Sequence, residues 1–199
     1  SPIVVTAGAQ SHLTLHGGAT IDVRGLWSNA LTNPANLVGL AYLNGGNVTF
    51  DSTQNVAIAS GRAIDVSSGA AVLVSGKTKG GKGGNVTLIA DDASGGTAST
   101  GGTLVLDGDI KAHGVNGGGK LTVGTAAVLI TSANVAPVTD QLVLSPNWFR
   151  KGFAQYDING YDRLTVADGT RLDVEMPVYR FTNESFATYG TDPQAALEV

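Results

Sequence analysis

Short runs in which apolar and polar residues alternate recur along the chain, separated by turns rich in glycine. Leu13 and Leu15 form one apolar pair, and Ile21 and Val23 form the next after a glycine-containing turn. A period of two places alternate side chains on opposite faces of a strand, one buried and one in water. The pattern therefore predicts many short β-strands of four to six residues.

The strand pattern is repeated as a longer phrase. Each copy has an apolar pair two residues apart, a turn with glycine, a second such pair and a closing glycine. The copies are LTLHGGATIDVRG (13–25), VAIASGRAIDVSSG (56–69) and LVLDGDIKAHG (104–114). A second strand type follows glycines in GGNVTF (45–50), GGNVTL (83–88), GGTLVL (101–106) and GGKLTV (118–123), and LTVADGTRLDV (164–174) repeats the phrase late in the chain.

Strands of this length could build a hairpin meander, a sandwich or a solenoid. The phrase returns at intervals of about 17 to 24 residues or doubles of that, which suits one lap of a three-sided coil. The turns also lack the regular two-residue spacing of primed hairpins. We therefore predict an all-β parallel β-helix, with coils about 4.8 Å apart and Val, Leu and Ile inside.

The last third of the chain has a different composition. Residues 137–199 hold four of the 28 glycines but nine of the twelve aromatic residues. Five of these aromatics fall within residues 148–161, before RLTV and RLDV resume the strand phrase. We expect residues 1–199 to form one β-helix segment of a larger protein, with Gly-rich coils over 1–136. Residues 137–199 are predicted to be an aromatic-rich C-terminal excursion and the final coils.

Composition narrows the classes of function. The chain has 199 residues, a net charge of −4, no cysteine and no long cluster of Lys and Arg. Disulfides, thiolate metal sites and cysteine nucleophiles are thereby excluded, and nucleic acid or an anionic membrane is disfavoured as a partner. No apolar run approaches the roughly 20 residues of a membrane span, so we expect no stable membrane insertion.

Two glycine-rich loops resemble ligand-binding motifs. GVNGGGK (114–120) fits the phosphate-binding pattern GxxxxGK, but Leu121 stands where Ser or Thr should reach magnesium, and a strand-like run follows instead of a helix. GGKGGNVTL (80–88) resembles a calcium nonapeptide, but Asn85 replaces the aspartate. We interpret the first as a turn whose glycines supply positive φ and the second as a Gly-rich loop between coils, and we expect no cofactor and no metal site.

Acidic pairs are the main candidates for catalysis, because some β-helical enzymes cleave polysaccharides with carboxylates on one face. Asp107 and Asp109 are two residues apart, as are Asp173 and Glu175, and Asp65 lies on an equivalent strand. At a period of two such residues share the outer face, where charged side chains normally lie in water. We therefore predict no catalytic residues and no enzyme activity.

Other polar and aromatic residues give weaker indications. His12, His16 and His113 lie at predicted strand ends or turns, which suits solvated side chains better than a metal site. The aromatic cluster of residues 148–161 is the one candidate for recognition, although packing of a small core is the simpler interpretation. Which residues bind a ligand stays unknown from the sequence.

The phrases RAIDVSSG, GGNVTL and DIKAHGVNGGGKLTV together resemble the filamentous-haemagglutinin-type exoproteins of Gram-negative two-partner secretion. LSPNWFRKGFAQYDINGYDRLTVADGTRLDV (144–174) is similar to a segment of large members of that family, and the resemblance covers roughly residues 10–190. It implies a right-handed β-helix in a secreted or surface-attached fibre, exported unfolded through an outer-membrane transporter. The family offers no catalytic residues to transfer.

The resemblance leads to a first expectation of function. The chain would be a structural or adhesive shaft segment of a filamentous adhesin, secreted or on the bacterial cell surface, serving attachment or biofilm formation. Its partners would be a host-cell or matrix glycan or protein and, during export, the outer-membrane transporter, and we expect a monomer. The alternatives are a β-helical polysaccharide-active enzyme and a glycan-binding module.

Overall fold

The computed structural model describes residues 2–6, 12–16, 18–91, 101–136 and 138–199. Among these residues the helical turns are all short 3₁₀ helices, at Val38–Ala41, Pro146–Arg150, Glu184–Phe186 and Pro193–Ala195. None of the described helices is long and apolar enough to cross a membrane. The strands in chain order are β1 Ile3–Thr6, β2 Leu13–Leu15, β3 Thr20–Asp22, β4 Trp27–Asn29, β5 Val48–Asp51, β6 Val56–Ile58, β7 Ala63–Asp65, β8 Ala70–Val72, β9 Thr78–Gly80, β10 Val86–Ile89, β11 Leu104–Leu106, β12 Asp109–Lys111, β13 Lys120–Ile130, β14 Gln141–Leu144, β15 Gln155–Val166, β16 Arg180–Phe181 and β17 Leu197–Glu198.

The largest sheet, sheet A, consists of parallel strands in the order β1-β5-β10-β13. Its register places Ile3, Val48, Val86 and Leu121 in one column. At β13 the sheet divides, because the first half of β13 pairs with β10 and the second half with β14. β15 pairs in parallel with both halves, on the other side of β13. The prediction of an all-β chain with parallel pairing is confirmed.

Two smaller parallel sheets carry the sequence repeat. Sheet B has the order β11-β6-β2 and sheet C the order β12-β7-β3. Their registers set the aligned apolar positions of the three repeats side by side, Leu13–Val56–Leu104 in sheet B and Ile21–Ile64–Ile110 in sheet C. The alignment of the three phrases is thus confirmed residue by residue. GGTLVL does not belong with GGNVTF, however, because its strand lies in sheet B.

Sheet D joins β4 and β8 in parallel and adds β9 antiparallel to β8. The chain therefore passes through sheets A, B and C three times in the same order, and the first two passages continue into sheet D. We call each passage a circuit: circuit 1 is β1–β4, circuit 2 is β5–β8 and circuit 3 is β10–β12. The hairpin β8–β9 and the pair β16–β17 depart from the predicted parallel pattern. Gly76, with φ +75°, permits the reversal between β8 and β9.

The core lies between the sheets and is almost entirely aliphatic in circuits 2 and 3. Strands β5, β6, β10 and β11 alternate between buried and less buried positions, as the period of two predicts. The inward side chains stack on their register partners, which keeps the columns of circuits 2 and 3 out of water. The main cluster contains Val48, Phe50, Val56, Ile58, Ile64, Val66, Val86, Leu88, Leu104, Ile110, Leu121, Val123 and Val128, with further residues of the last third.

Glycines before the strands of sheet A allow the backbones of successive circuits to approach closely. A Cβ atom on Gly84 would lie 1.8 Å from the carbonyl oxygen of Gly46, and one on Gly119 would lie 2.2 Å from that of Gly84. This corrects the expectation that the glycines of GVNGGGK supply positive φ, because only Gly117 does so, at +98°. The glycines at this corner are required mainly because no side chain fits there.

Asparagines at the start of the same strands link neighbouring circuits. The Asn47 side-chain oxygen accepts the N–H of Asn85 at 2.9 Å, and the Asn85 oxygen accepts the N–H of Lys120 at 2.7 Å. Each side chain thus satisfies a backbone donor at the point where the strand ladder begins. The Asn in GGNVT therefore has a structural role that alternation alone did not reveal.

The last third joins the same core instead of leaving it. Phe149 and Phe153 are buried in the main cluster, and residues Pro146–Arg150 form a 3₁₀ helix. RLTV forms the end of β15, as expected, but RLDV (171–174) is not a strand. Because β15 pairs along its length with β13, the predicted excursion is largely a continuation of sheet A.

The tail of the chain, residues 177–199, runs back across the molecule to circuit 1, and we call it the strap. Tyr179, Ala196 and Leu197 pack on Trp27, Ala70 and Val72, which lie in strands of sheet D. The Trp27 N–H donates to the Thr191 carbonyl at 2.8 Å. The strap therefore covers the second, smaller apolar cluster of the structure.

Substitution of an inward residue tests these assignments. Leu104→Asp or Ile64→Asp would bury an unpaired carboxylate among aliphatic side chains, which costs several kcal/mol. We expect both variants to lose the cooperative thermal transition in circular dichroism. The matched control is Val105→Asp, because Val105 is 40% exposed and Leu104 only 2%. Equal melting temperatures for Leu104→Asp and Val105→Asp would contradict the inward placement of Leu104.

Candidate functional site

The aromatic cluster of residues 148–161 is divided between core and surface. The Tyr156 ring lies 5.1 Å from that of Phe149 and 5.9 Å from that of Phe153, measured between centroids. Its hydroxyl accepts the Lys151 N–H at 3.2 Å, and burial raises the pKa of the Tyr156 phenol. Tyr161 is exposed and lies over Gly124, where a Cβ would meet its hydroxyl. Packing therefore accounts for most of this cluster.

One part of the cluster reaches the surface beside charged groups. The Lys151 ammonium lies 5.4 Å from the centroid of the half-buried Trp148 ring and 2.8 Å from a carboxylate oxygen of Asp109. Lys111 approaches the other Asp109 oxygen at 3.5 Å. We call Trp148, Lys151, Asp109 and Lys111 the Trp148 surface. An indole beside an ammonium and a carboxylate offers a stacking face and hydrogen-bonding groups of the kind that sugar hydroxyls use.

The charges of the Trp148 surface are mutually stabilised. Burial raises the pKa of Asp109, but the hydrogen bond from Lys151 and the charges of Lys151 and Lys111 outweigh it, so that the net pKa is lowered. Asp109 is therefore ionised at neutral pH and its charge is matched by two lysines. A carboxylate in this state suits binding better than proton donation.

The remaining acidic residues of the predicted pairs are paired with cations or exposed to water. Arg150 contacts Asp173 at 3.7 Å and Glu175 at 3.0 Å, and Arg171 donates to Asp173 at 2.9 Å. Asp107 is exposed. These positions agree with a solvated outer face.

Asp65 corrects the expectation of an outer, solvated carboxylate. It is only 7% exposed, and it accepts the Ser67 N–H at 2.9 Å and the Gln194 amide at 3.0 Å. The partner on the strap lies 129 residues away, so alternation along one strand could not reveal it.

A charged latch holds the strap to circuit 1. Arg24 donates to both carboxylate oxygens of Asp22, at 2.9 and 2.7 Å, and to Asp192 of the strap at 2.8 Å. The hydrogen bond from Arg24 lowers the pKa of Asp22. Asp192 is also the N-cap of the 3₁₀ helix Pro193–Ala195 in the strap, and its side chain accepts the N–H of Gln194. We call Asp22, Arg24 and Asp192 the latch.

The histidines fall in two environments. His12 and His16 are exposed, as expected. His113 is half-buried, with its ring 5.7 Å from that of Tyr179 and its Nδ1 3.3 Å from the Pro177 carbonyl. His113 therefore contacts the strap and is not a fully solvated side chain, which corrects that expectation.

The two ligand-like loops serve as connections. Lys120, the lysine of GVNGGGK, starts β13 and forms an ion pair with Asp157 of β15 at 2.7 Å. Asn85 stands where the calcium nonapeptide has an aspartate, and its side-chain oxygen accepts the N–H of Lys120 at the start of β13. Among the described residues, no group of three or more His, Asp or Glu side chains is placed to hold a metal ion.

The latch predicts how stability depends on pH. Because the folded-state pKa of Asp22 lies below its unfolded value of about 3.9, its contribution is complete above about pH 4 and is lost as the pH falls through the folded-state pKa. We expect Asp22→Asn to lower stability at pH 7 and to weaken the loss of stability as the pH falls below about 4.

Thermal unfolding across that pH range measures the effect, and Asp162→Asn is the matched control. Asp162 is an exposed carboxylate of β15 that forms none of the ion pairs found among the described residues. The same pH profile for both variants would contradict the role of the latch.

Comparison with known proteins adds no assignment. The chain matches no protein-family model, no curated protein and no solved structure.

Proposed function

We propose that the chain is a segment of a right-handed parallel β-helix that forms the shaft of a filamentous adhesin. The observation that carries this proposal is the stacking of the three sequence repeats in register in parallel sheets B and C. A chain that passes through the same sheets in the same order extends along one axis by one strand spacing per circuit. Such growth is what an elongated shaft needs.

The outward positions support a shaft that lies in water. Thr49, Thr87 and Thr122 are register partners on sheet A between the buried columns, and all three are partly exposed. Threonine fits the outer face of a β-sheet, and its hydroxyl keeps that face from becoming an apolar patch. The resemblance to haemagglutinin-type exoproteins gives the proposed setting: secretion through an outer-membrane transporter and residence outside the cell or on its surface.

Adhesion is the favoured activity of this shaft, through host-cell or matrix glycans or proteins. The Trp148 surface is the proposed contact, because it combines a partly exposed indole with Lys151 and Asp109. Stacking of a sugar ring on an indole and hydrogen bonds to flanking charged groups need no movement of the core. An adhesive contact of this kind also covers the alternative of a glycan-binding module.

Catalysis is the weaker candidate. Asp109, Asp173 and Glu175 are each engaged by Lys or Arg side chains, whereas a glycosidase needs an acid with a raised pKa opposite a second carboxylate. Incubation with a panel of uronic-acid and neutral polysaccharides tests this point. We expect neither unsaturated products nor new reducing ends, and sustained release of either would favour an enzyme.

Binding to a glycan array and to cultured host cells tests the adhesive role. We expect the folded chain to bind, and Trp148→Ala to weaken binding at least tenfold because the stacking face is lost. Tyr189→Ala is the matched control, since Tyr189 is a strongly exposed aromatic residue of the strap away from the Trp148 surface. Equal loss in both variants, or no binding by the unaltered chain, would contradict adhesion through Trp148.

A further inference from the structure

The hairpin formed by β8 and β9 carries a cluster of lysines. Lys77, Lys79 and Lys82 fall within six residues, and all three are exposed. None of them belongs to an ion pair found among the described residues, whereas the other three lysines of the chain each contact an Asp carboxylate. We call these three residues the lysine cluster. Its positive charge is not matched by carboxylates of the chain itself.

The hairpin also exposes an apolar residue beside these charges. β8 and β9 pair antiparallel, and the Leu73 N–H donates to the Lys77 carbonyl at 2.8 Å, which closes the turn between them. β8 is buried along its length, but residues 74–79 are all exposed. Val74, in the turn, is 65% exposed. The hairpin therefore projects into solvent with an apolar tip next to the lysine cluster.

The hairpin lies between circuits of the described structure. β8 pairs with β4 of circuit 1 on one side. On the other side Asn116, which follows circuit 3, donates its N–H to the Gly81 carbonyl at 2.9 Å. The turn continues β8 along the direction of the strand, across the axis on which the circuits stack. Its exposure therefore does not depend on which coils stand before or after the described ones.

The segments around the lysine cluster contain no carboxylates. Residues 66–90, which include the hairpin, hold no Asp or Glu, and neither do residues 25–50. The two segments are in contact, because the Lys82 N–H donates to the Asn44 side-chain oxygen and the Gly45 N–H donates to the Lys82 carbonyl, both at 2.9 Å. The net charge of −4 disfavours an anionic partner for the chain as a whole, but that negative charge is carried by other segments.

We infer that the β8–β9 hairpin binds the surface of a membrane that contains anionic lipids. The ammonium groups of the lysine cluster contact headgroup phosphates, while the aliphatic stems of the lysines lie against the less polar layer below. Val74 enters the boundary between headgroups and acyl chains. The contact is peripheral, so it needs no membrane span.

The apolar tip is the feature that favours a lipid surface over other anionic partners. A polyanionic glycan or a nucleic acid would contact the same ammonium groups, but it would leave Val74 in water. A membrane interface accommodates both the charges and the apolar side chain. The inference is independent of the Trp148 surface, because the lysine cluster and Val74 share no residue with it.

Sedimentation with sucrose-loaded vesicles tests the inference. We expect the full chain to bind vesicles of phosphatidylcholine that contain about 30% phosphatidylglycerol. Binding should be about tenfold weaker or less with phosphatidylcholine alone, and high salt should weaken it similarly, because the attraction to anionic headgroups is electrostatic. Absence of binding to the anionic vesicles, or equal binding to both kinds of vesicle, would overturn the proposal.

Charge variants locate the contact on the hairpin. Each lysine near an anionic surface strengthens binding about fivefold, so Lys77→Gln combined with Lys79→Gln should weaken vesicle binding about 25-fold. The matched control is Lys120→Gln combined with Arg163→Gln, which removes the same charge from β13 and β15. The control protein should bind the vesicles within about twofold of the unaltered chain. Equal weakening in the two double variants would contradict a contact through the hairpin.

Val74→Ser separates a lipid surface from a polyanionic chain. Val74 is exposed, so the variant should keep its melting temperature. Loss of the apolar tip should weaken vesicle binding about fivefold and leave any binding to dextran sulfate unchanged. Vesicle binding by Val74→Ser as tight as that of the unaltered chain would assign the lysine cluster to a polyanionic chain and refute the lipid contact.

Discussion

Stacking of inward aliphatic side chains along parallel strands is the interaction on which the rest of the structure depends. Each circuit is too thin to enclose a core of its own, and the strands of circuits 1 to 3 are three or four residues long. Only contact with the same position in the next circuit removes Val56 or Ile64 from water. Stability therefore comes from register, because a shift by one residue would turn every inward side chain outward.

The corner before sheet A shows how backbone and side chains jointly fix that register. Gly84 and Gly119 leave no space for a Cβ, which holds successive circuits in close contact. Asn47 and Asn85 then bind the first N–H of the neighbouring strand. The glycines set the distance between circuits and the asparagines set their alignment, and the aliphatic columns follow from both.

The sequence was most informative where the structure repeats. Alternation and the three aligned phrases predicted the strands and the register of sheets B and C, because both depend on contacts between equivalent positions. The same reasoning failed for Asp65 and His113, whose partners Gln194 and Pro177 belong to the strap. It also missed the latch, since Asp192 lies 168 residues from Arg24 and no local period connects them. Packing was the simpler interpretation of the aromatic residues in the last third. The sequence could not show that β15 belongs to sheet A and is not an excursion from the coil, because that assignment depends on its pairing with β13.

The strap changes how this molecule should come apart. In an array of repeats each unit touches only its neighbours, so unravelling proceeds one unit at a time from the ends. Here a single tail contacts Gly114 after β12, Asp65 in β7 and Arg24 after β3, which belong to circuits 3, 2 and 1. Fraying of the first circuit then requires release of contacts made by the third. A ladder that would otherwise melt gradually is thereby bound into one cooperative unit.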